Sequence, residues 1–82
     1  MPSLQNLRNE IDRLDSIIME ALEARFNLMP SIAKVKKAES LATTQASREE
    51  VVLKKAEVFS HEAAIQEVYL TIMAQSKLLQ SG

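Results

Sequence analysis

The first half of the chain carries an apolar pattern that is typical of one long helix. Its members recur at alternating spacings of three and four: Leu4, Leu7, Ile11, Leu14, Ile18, Ala21, Leu28, Ile32 and Val35. This spacing places them on one seam, as at the a and d positions of a coiled coil. A helix over residues 4–37 would be about 50 Å long at about 1.5 Å per residue. Pro2 and Ser3 predict its start, with Ser3 as the cap.

Two residues interrupt this regular pattern. Arg25 occupies an a position, where a buried guanidinium needs a partner, a ligand or water. Taken alone, Arg25 is explained equally well by register setting in a coiled coil and by ligand binding. Pro30 lies on the outer face, where a proline usually bends a packed helix. We therefore predict a kink just before Pro30, with the seam resuming at Ile32.

The composition predicts an all-α protein that oligomerises. The 82 residues include one Gly and two Pro, and 46% of them are hydrophobic. We expect one helical domain over residues 1–82. A chain this short buries a limited fraction of its surface, and its remaining helices are too short to cover the long seam. The sequence therefore predicts an obligate homodimer.

Several classes of function are disfavoured. A net charge of -1 and a pI near 5.8 argue against a nucleic-acid partner. The chain has no cysteine and a single histidine, His61, which argues against thiolate chemistry and against a metal centre. It shows neither a signal peptide nor an apolar run long enough to cross a membrane, so we expect a cytoplasmic protein.

Two shorter helices are predicted after a polar connection over residues 38–46. Ser47 and Glu50 have the spacing of a capping box, which predicts a second helix beginning at Arg48. Its inner stripe would comprise Glu49, Val52, Leu53, Ala56 and Phe59. A third helix is expected to begin near residues 60–61. Its stripe would comprise Ile65, Val68, Tyr69, Ile72, Met73, Ser76 and Leu79.

Polar residues on these otherwise apolar stripes are candidates for a binding site. They are Arg25, Lys36, Glu49, Ser76 and Gln80. Arg25 and Lys36 are 11 residues apart in the sequence, so on one helix they point within about 20 degrees of each other, roughly 16 Å apart. They could hold one small anion between them. Arg8 lies about 25 Å from Arg25 on the same helix, so in an antiparallel dimer the partner's Arg8 could reach that anion instead.

Four motifs in this order resemble the all-helical chorismate mutases. Residues 7–15, LRNEIDRLD, resemble the family's opening L-R-x-x-I-D-x-L-D, and Arg25 with residues 32–36 continues the register of its first helix. Arg48 and Glu49 resemble the R-E pair that begins its second helix. Ser76 and Gln80 resemble the S-x-x-x-Q near the end of its third. The resemblance covers nearly the whole chain.

The resemblance implies an intertwined homodimer of three-helix chains with two equivalent active sites. These enzymes rearrange chorismate, a dianion, to prephenate in aromatic amino acid biosynthesis (the shikimate pathway). The pericyclic step is unimolecular and requires no cofactor, metal or nucleophile. Catalysis then depends on holding the reactive conformer and stabilising the charge that develops.

The resemblance also implies roles for individual residues. Arg25 and the partner's Arg8 would bind the two carboxylates, because guanidinium groups match carboxylate geometry. Lys36 and Gln80 would donate to the ether oxygen. Glu49 would accept from the ring hydroxyl, with Arg48 and Ser76 on the ring side of the pocket. Substrate binding would thus involve Arg8, Gln45, Arg48, Glu49 and Ser76, and catalysis Arg25, Lys36 and Gln80.

Two departures from the family bear on the choice of substrate. Gln45 stands where an acidic residue commonly precedes the R-E pair, and Lys77 stands at an apolar wall position of the third helix. Three alternatives to a chorismate mutase therefore stay open. Two are an isochorismate-pyruvate lyase and an aminodeoxychorismate mutase on the same scaffold. The third is a non-catalytic helical dimerisation module whose polar seam residues specify pairing.

Overall fold

The computed structural model describes Met1 and residues 3–80, and in this part of the chain it contains helices and no strand. The α-helices are α1 (Leu4–Asn27), α2 (Met29–Ala38), α3 (Ala46–Lys54) and α4 (Glu62–Gln80). A short 3-10 helix, Lys55–Val58, extends α3. The predicted all-α class is confirmed, with α1 and α2 together forming the long N-terminal helix. Residues 60–61 precede α4, as expected.

The long helix is interrupted at Leu28, two residues before Pro30. Leu28 keeps right-handed helical dihedrals, with φ -80° and ψ -16°, and its N–H bonds to Arg25 O at 3.2 Å. The helical pattern resumes at once, since Ile32 N donates to Leu28 O at 3.0 Å. Because Pro30 has no N–H, the ladder loses a bond at this point. The helix is therefore interrupted for one residue, just before Pro30, where the sequence predicts a kink.

Both helix starts can be compared with their predicted caps. Ser3 Oγ accepts from Asn6 N at 3.1 Å and caps α1 as expected, whereas Pro2 lies outside the described residues. The capping box predicted at Ser47 is wrong, because α3 begins two residues before the predicted Arg48, at Ala46. Gln45 O accepts the first helical bond, from Glu49 N at 3.0 Å. The connection is correspondingly shorter than residues 38–46, and Ser47 lies inside the first turn.

The core of the chain is small and lies where α2, the 3-10 helix and α4 meet. Its buried residues are Met29, Ala56, Met73 and Ser76, each 5–7% exposed. Three residues of the two shorter predicted stripes are exposed instead, namely Phe59, Val68 and Leu79. Phe59 leaves its stripe because the 3-10 helix ends at Val58 and Phe59 has extended backbone, with φ -106° and ψ 145°. Val68 and Leu79 lie on α4 and are 58% and 47% exposed.

The apolar seam of α1 is not covered by its own chain. No residue of α1 is buried. Seven seam residues are between 47% and 63% exposed: Leu4, Leu7, Ile11, Leu14, Ile18, Leu28 and Val35. The molecule measures 56 × 24 × 15 Å, and its radius of gyration is 16.1 Å. A compact domain of this length has a radius of gyration of about 12 Å, so the N-terminal helix projects from the rest of the chain.

None of the described helices combines the length and the apolar character that a membrane span requires.

Candidate functional site

A cleft of about 430 Å³ lies between the long helix, the start of α3 and the C-terminal half of α4. It includes seven of the eight residues predicted for a site: Arg25, Lys36, Gln45, Arg48, Glu49, Ser76 and Gln80. Arg25, before the interruption at Leu28, and Lys36, after it, both line the cleft. The structure therefore brings together residues from both halves of the sequence.

Arg8 is the predicted site residue that does not line this cleft. It is exposed on α1, and its 17-residue separation from Arg25 corresponds to about 25 Å along a helix. Arg8 therefore cannot reach a molecule held by Arg25 in the same chain. As described, one chain supplies all the predicted residues of the site except this arginine.

Arg25 is held in the cleft by Ser76. One guanidinium nitrogen, Nη1, donates to Ser76 Oγ, and Ser76 Oγ donates in turn to Ile72 O at 2.7 Å. Ser76 is buried and lies one helical turn after Ile72 on α4, so its hydroxyl is fixed by its own helix. A guanidinium has five N–H donors, and within residues 3–80 Arg25 forms no other hydrogen bond. Its remaining donors can bind an anion.

Lys36 connects three segments at the other end of the cleft. Its ammonium nitrogen donates to Thr43 O at 2.7 Å and to Gln80 Oε1 at 2.8 Å. Gln80 Nε2 faces Met29 Sδ at 3.6 Å, a weak acceptor. An ammonium group has three donors, so Lys36 has one more to offer, and the Gln80 amide has a second N–H. The pair therefore keeps two donors that no hydrogen bond to the described residues uses.

Gln45 and Arg48 lie at the start of α3. Gln45 Nε2 donates to Ala42 O at 2.8 Å, a bond within the connection that leads into α3. Arg48 is exposed and forms no hydrogen bond through its side chain with the described residues. Its guanidinium is therefore available at the rim. Neither residue lies in the core.

Glu49 is paired with a cation. Its Oε2 lies 2.8 Å from Lys77 Nζ, and the two side chains are 28% and 36% exposed respectively. Both residues line the cleft. The carboxylate keeps Oε1 as an acceptor, since this oxygen contacts no donor in the described part of the chain. Glu49 can therefore accept one hydrogen bond from a ligand.

The cleft is cationic although the whole chain has a net charge of -1. Four cationic side chains line it, Arg25, Lys36, Arg48 and Lys77, against the carboxylate of Glu49. Concentration of positive charge in a concave site raises the local concentration of anions. The cleft thus favours a small anionic ligand with more than one negative charge.

Sequence reasoning missed one polar member of the site. Thr43 lies in the connection between α2 and α3, and it contributes its backbone carbonyl to Lys36. Every residue has a backbone carbonyl, so the sequence could not single out that of Thr43 as a partner of Lys36. The sequence also did not predict which protein group binds Arg25. The pairing with Ser76 joins residues 51 positions apart and depends on how α4 packs.

The fold and the cleft define an all-α protein with a small-molecule site suited to anions. The chain belongs to the chorismate mutase type II family, whose sequence model matches residues 7–81. The family suspected from the four motifs is thereby confirmed. Searches against curated proteins and against solved structures returned no significant match.

Proposed function

We propose that the protein is a chorismate mutase that rearranges chorismate to prephenate, an isomerase reaction. The main support is that Arg25, Lys36 and Gln80 line one cleft with unused donors. The cleft volume of about 430 Å³ suits a small molecule. Its positive charge suits a dianion. Membership of the chorismate mutase type II family supports the same reaction class.

The proposed reaction needs positioning and electrostatics rather than a nucleophile. In the pericyclic step, the ether C–O bond breaks as a C–C bond forms within the same molecule. The enzyme gains rate by binding the compact reactive conformer and by stabilising charge at the ether oxygen. Arg25 binds one carboxylate of that conformer. Because Ser76 fixes the guanidinium beforehand, little reorganisation is needed when substrate enters.

Lys36 and Gln80 act on the ether oxygen. Negative charge grows on this oxygen as its bond to the ring breaks. The spare N–H of the Lys36 ammonium and the amide of Gln80 then donate to it. Since Lys36 is already held by Thr43 O and Gln80 Oε1, its position is set before the reaction begins. Preorganised donors of this kind account for a large part of enzymatic rate enhancement.

The start of α3 and the middle of α4 hold the ring. Glu49 Oε1 accepts from the ring hydroxyl, and Arg48 approaches from the rim. Gln45 closes the same end of the cleft in place of an acidic residue. Ser76 acts mainly through Arg25, whose guanidinium it orients.

A homodimer completes the site. The exposed seam of α1 is a long apolar surface of the kind that a second copy would bury. Antiparallel packing of two such helices would bring Arg8 of the partner subunit toward Arg25, in an intertwined helical bundle. The second carboxylate of the substrate would then bind the partner's Arg8. Each dimer would contain two equivalent sites.

Introducing a charge on the seam should dissociate this dimer. Ile11 lies on the seam and is 55% exposed in one chain, so Ile11→Lys would place an ammonium group inside the proposed interface. We expect the variant to sediment as a monomer or to unfold, and to lose activity. Ser16→Lys, on the opposite face of α1, is the matched control and should remain dimeric. A wild-type protein that sediments as a monomer at micromolar concentration would contradict the proposal.

Substrate consumption tests the function directly. Purified protein is incubated separately with chorismate, isochorismate and aminodeoxychorismate, and the loss of each is followed with time. We expect rapid loss of chorismate and formation of prephenate. Pyruvate release from isochorismate would identify a lyase, and preferred consumption of aminodeoxychorismate would identify the amino-substrate mutase. If no compound reacts and a bicyclic transition-state mimic does not bind, the protein is a non-catalytic dimerisation module.

A further inference from the structure

Lys77 lies in the wall of the cleft, on the turn of α4 that joins Ser76 to Gln80. Its ammonium nitrogen is 2.8 Å from Glu49 Oε2, which links α4 to the first turn of α3. The position is half-buried, at 36% side-chain exposure, and lines the cleft. An apolar side chain here would leave Glu49 without an ionic partner in the described residues.

The ion pair changes which ligand groups Glu49 can bind. A carboxylate without an ionic partner accepts hydrogen bonds from a hydroxyl and attracts an ammonium group still more strongly. With Lys77 beside it, the charge of Glu49 is already compensated. Its Oε1 can still accept from a neutral hydroxyl. A ligand ammonium at the same point would lie next to the Lys77 ammonium, and like charges in close contact are repulsive.

We propose that Lys77 is a specificity-determining residue that makes this site select a ring hydroxyl over a ring amine. The inference rests on the proposed function and concerns the substituent that faces Glu49. An aliphatic amine of this kind is protonated near neutral pH, like the side chain of lysine. Chorismate presents a hydroxyl group at this point, whereas aminodeoxychorismate presents an amine. Lys77 therefore disfavours the second compound.

The other charged side chains of the cleft also disfavour a ligand ammonium group. Arg25, Lys36 and Arg48 line it as well, and the structure shows no second carboxylate among the described lining residues that could offset a ligand ammonium. The two substrate carboxylates are bound elsewhere in the proposed pose. Among the described lining residues, Glu49 is then the sole anionic group that can bind the ring substituent. It is already paired with Lys77.

The experiment compares affinity and turnover for the two compounds in four proteins. Binding of chorismate and of aminodeoxychorismate is measured by calorimetry, and kcat/KM is measured for each. The proteins are the wild type, Lys77→Met, Lys77→Arg and Lys54→Met. Methionine keeps the length of the side chain without its charge, and arginine keeps the charge. Lys54 is exposed and lies outside the cleft, so Lys54→Met controls for the loss of one surface charge.

We expect the wild type, Lys77→Arg and Lys54→Met to favour chorismate alike. Lys77→Met should shift the ratio of affinities, and of kcat/KM, toward the amine by about tenfold, because it removes one repulsive contact that is partly screened by solvent. An unchanged ratio in Lys77→Met, with chorismate still converted, overturns this inference alone. An equal loss of affinity for both compounds does so too, since it would make Lys77 a general anion-binding group. If neither compound binds to any of the proteins, the proposed function fails as well.

Discussion

Lys36→Ala should lower kcat for chorismate by about 10²- to 10³-fold, the loss typical of removing one preorganised donor from an active site. The expected loss corresponds to about 2.7 to 4 kcal/mol of transition-state stabilisation. Lys36 is bound by Thr43 O and Gln80 Oε1, so its removal also leaves Gln80 Oε1 without its donor. Both proposed donors to the ether oxygen are therefore affected by one substitution.

The matched control for this prediction is Lys37→Ala. Lys37 is the next residue of α2, is exposed and does not line the cleft, yet it carries the same charge. We expect it to retain activity close to that of the wild type. Circular dichroism and sedimentation should show that both variants remain folded and of unchanged oligomeric state. Binding of a bicyclic transition-state mimic should weaken in Lys36→Ala. Retention of wild-type kcat by this variant would remove Lys36 from the mechanism.

Arg8→Ala should lower kcat/KM by a comparable factor, about 10²-fold or more, because a charge-assisted pair to a substrate carboxylate would be lost. Arg8 is exposed on α1 and outside the cleft of its own chain, so a function confined to one chain predicts almost no effect. Arg13→Ala is the matched control. Arg13 pairs locally with Glu10 at 2.8 Å on the same helix, and its loss should leave activity unchanged.

Mixing two inactive variants tests whether Arg8 acts across subunits. Arg8→Ala and Lys36→Ala chains are unfolded together and refolded at equal concentrations. In a mixed dimer, the cleft with an intact Lys36 receives an intact Arg8 from the partner subunit, and the other cleft lacks both. Statistical pairing should restore roughly a quarter of wild-type activity, since half of the dimers are mixed and each has one complete site.

Failure to recover activity in the mixture would show that Arg8 does not act in trans. Full activity of Arg8→Ala alone would show that it does not act at all. The two results have different consequences, because the first leaves Arg8 with a role other than substrate binding, such as in the stability of the dimer. Refolded wild-type protein, processed in parallel, calibrates the yield of active dimer.

Much of the site could be anticipated because its residues interrupt a regular apolar pattern. Arg25 and Lys36 share a helix face at a spacing of 11, which the geometry of one helix is enough to establish. Glu49, Ser76 and Gln80 were conspicuous as polar members of apolar stripes. Their presence together in one cleft required the packing of α2 and α3 against α4, which no local pattern specifies.

The mistaken details have local physical causes. Ser47 has the correct spacing for a capping box, yet α3 begins earlier, and Gln45 O accepts its first helical bond. A helix can extend beyond its best capping residue when tertiary contacts support the additional residues. Phe59 continues the apolar spacing of α3 but lies beyond a 3-10 helix that alters the periodicity. In both cases the sequence carries the pattern, but the backbone differs from the one that the pattern predicts.

The sequence by itself determined the helical class, the long N-terminal helix and the place of its interruption just before Pro30, because these depend on periodicity and on backbone chemistry near in sequence. Only the tertiary structure decided the contacts between distant residues. These contacts join separate segments of the chain. They are the Arg25–Ser76 hydrogen bond, the hydrogen bonds of Lys36 to Thr43 and Gln80, and the Lys77–Glu49 ion pair. Such contacts depend on how helices pack, and periodicity within one helix carries no information about its neighbour.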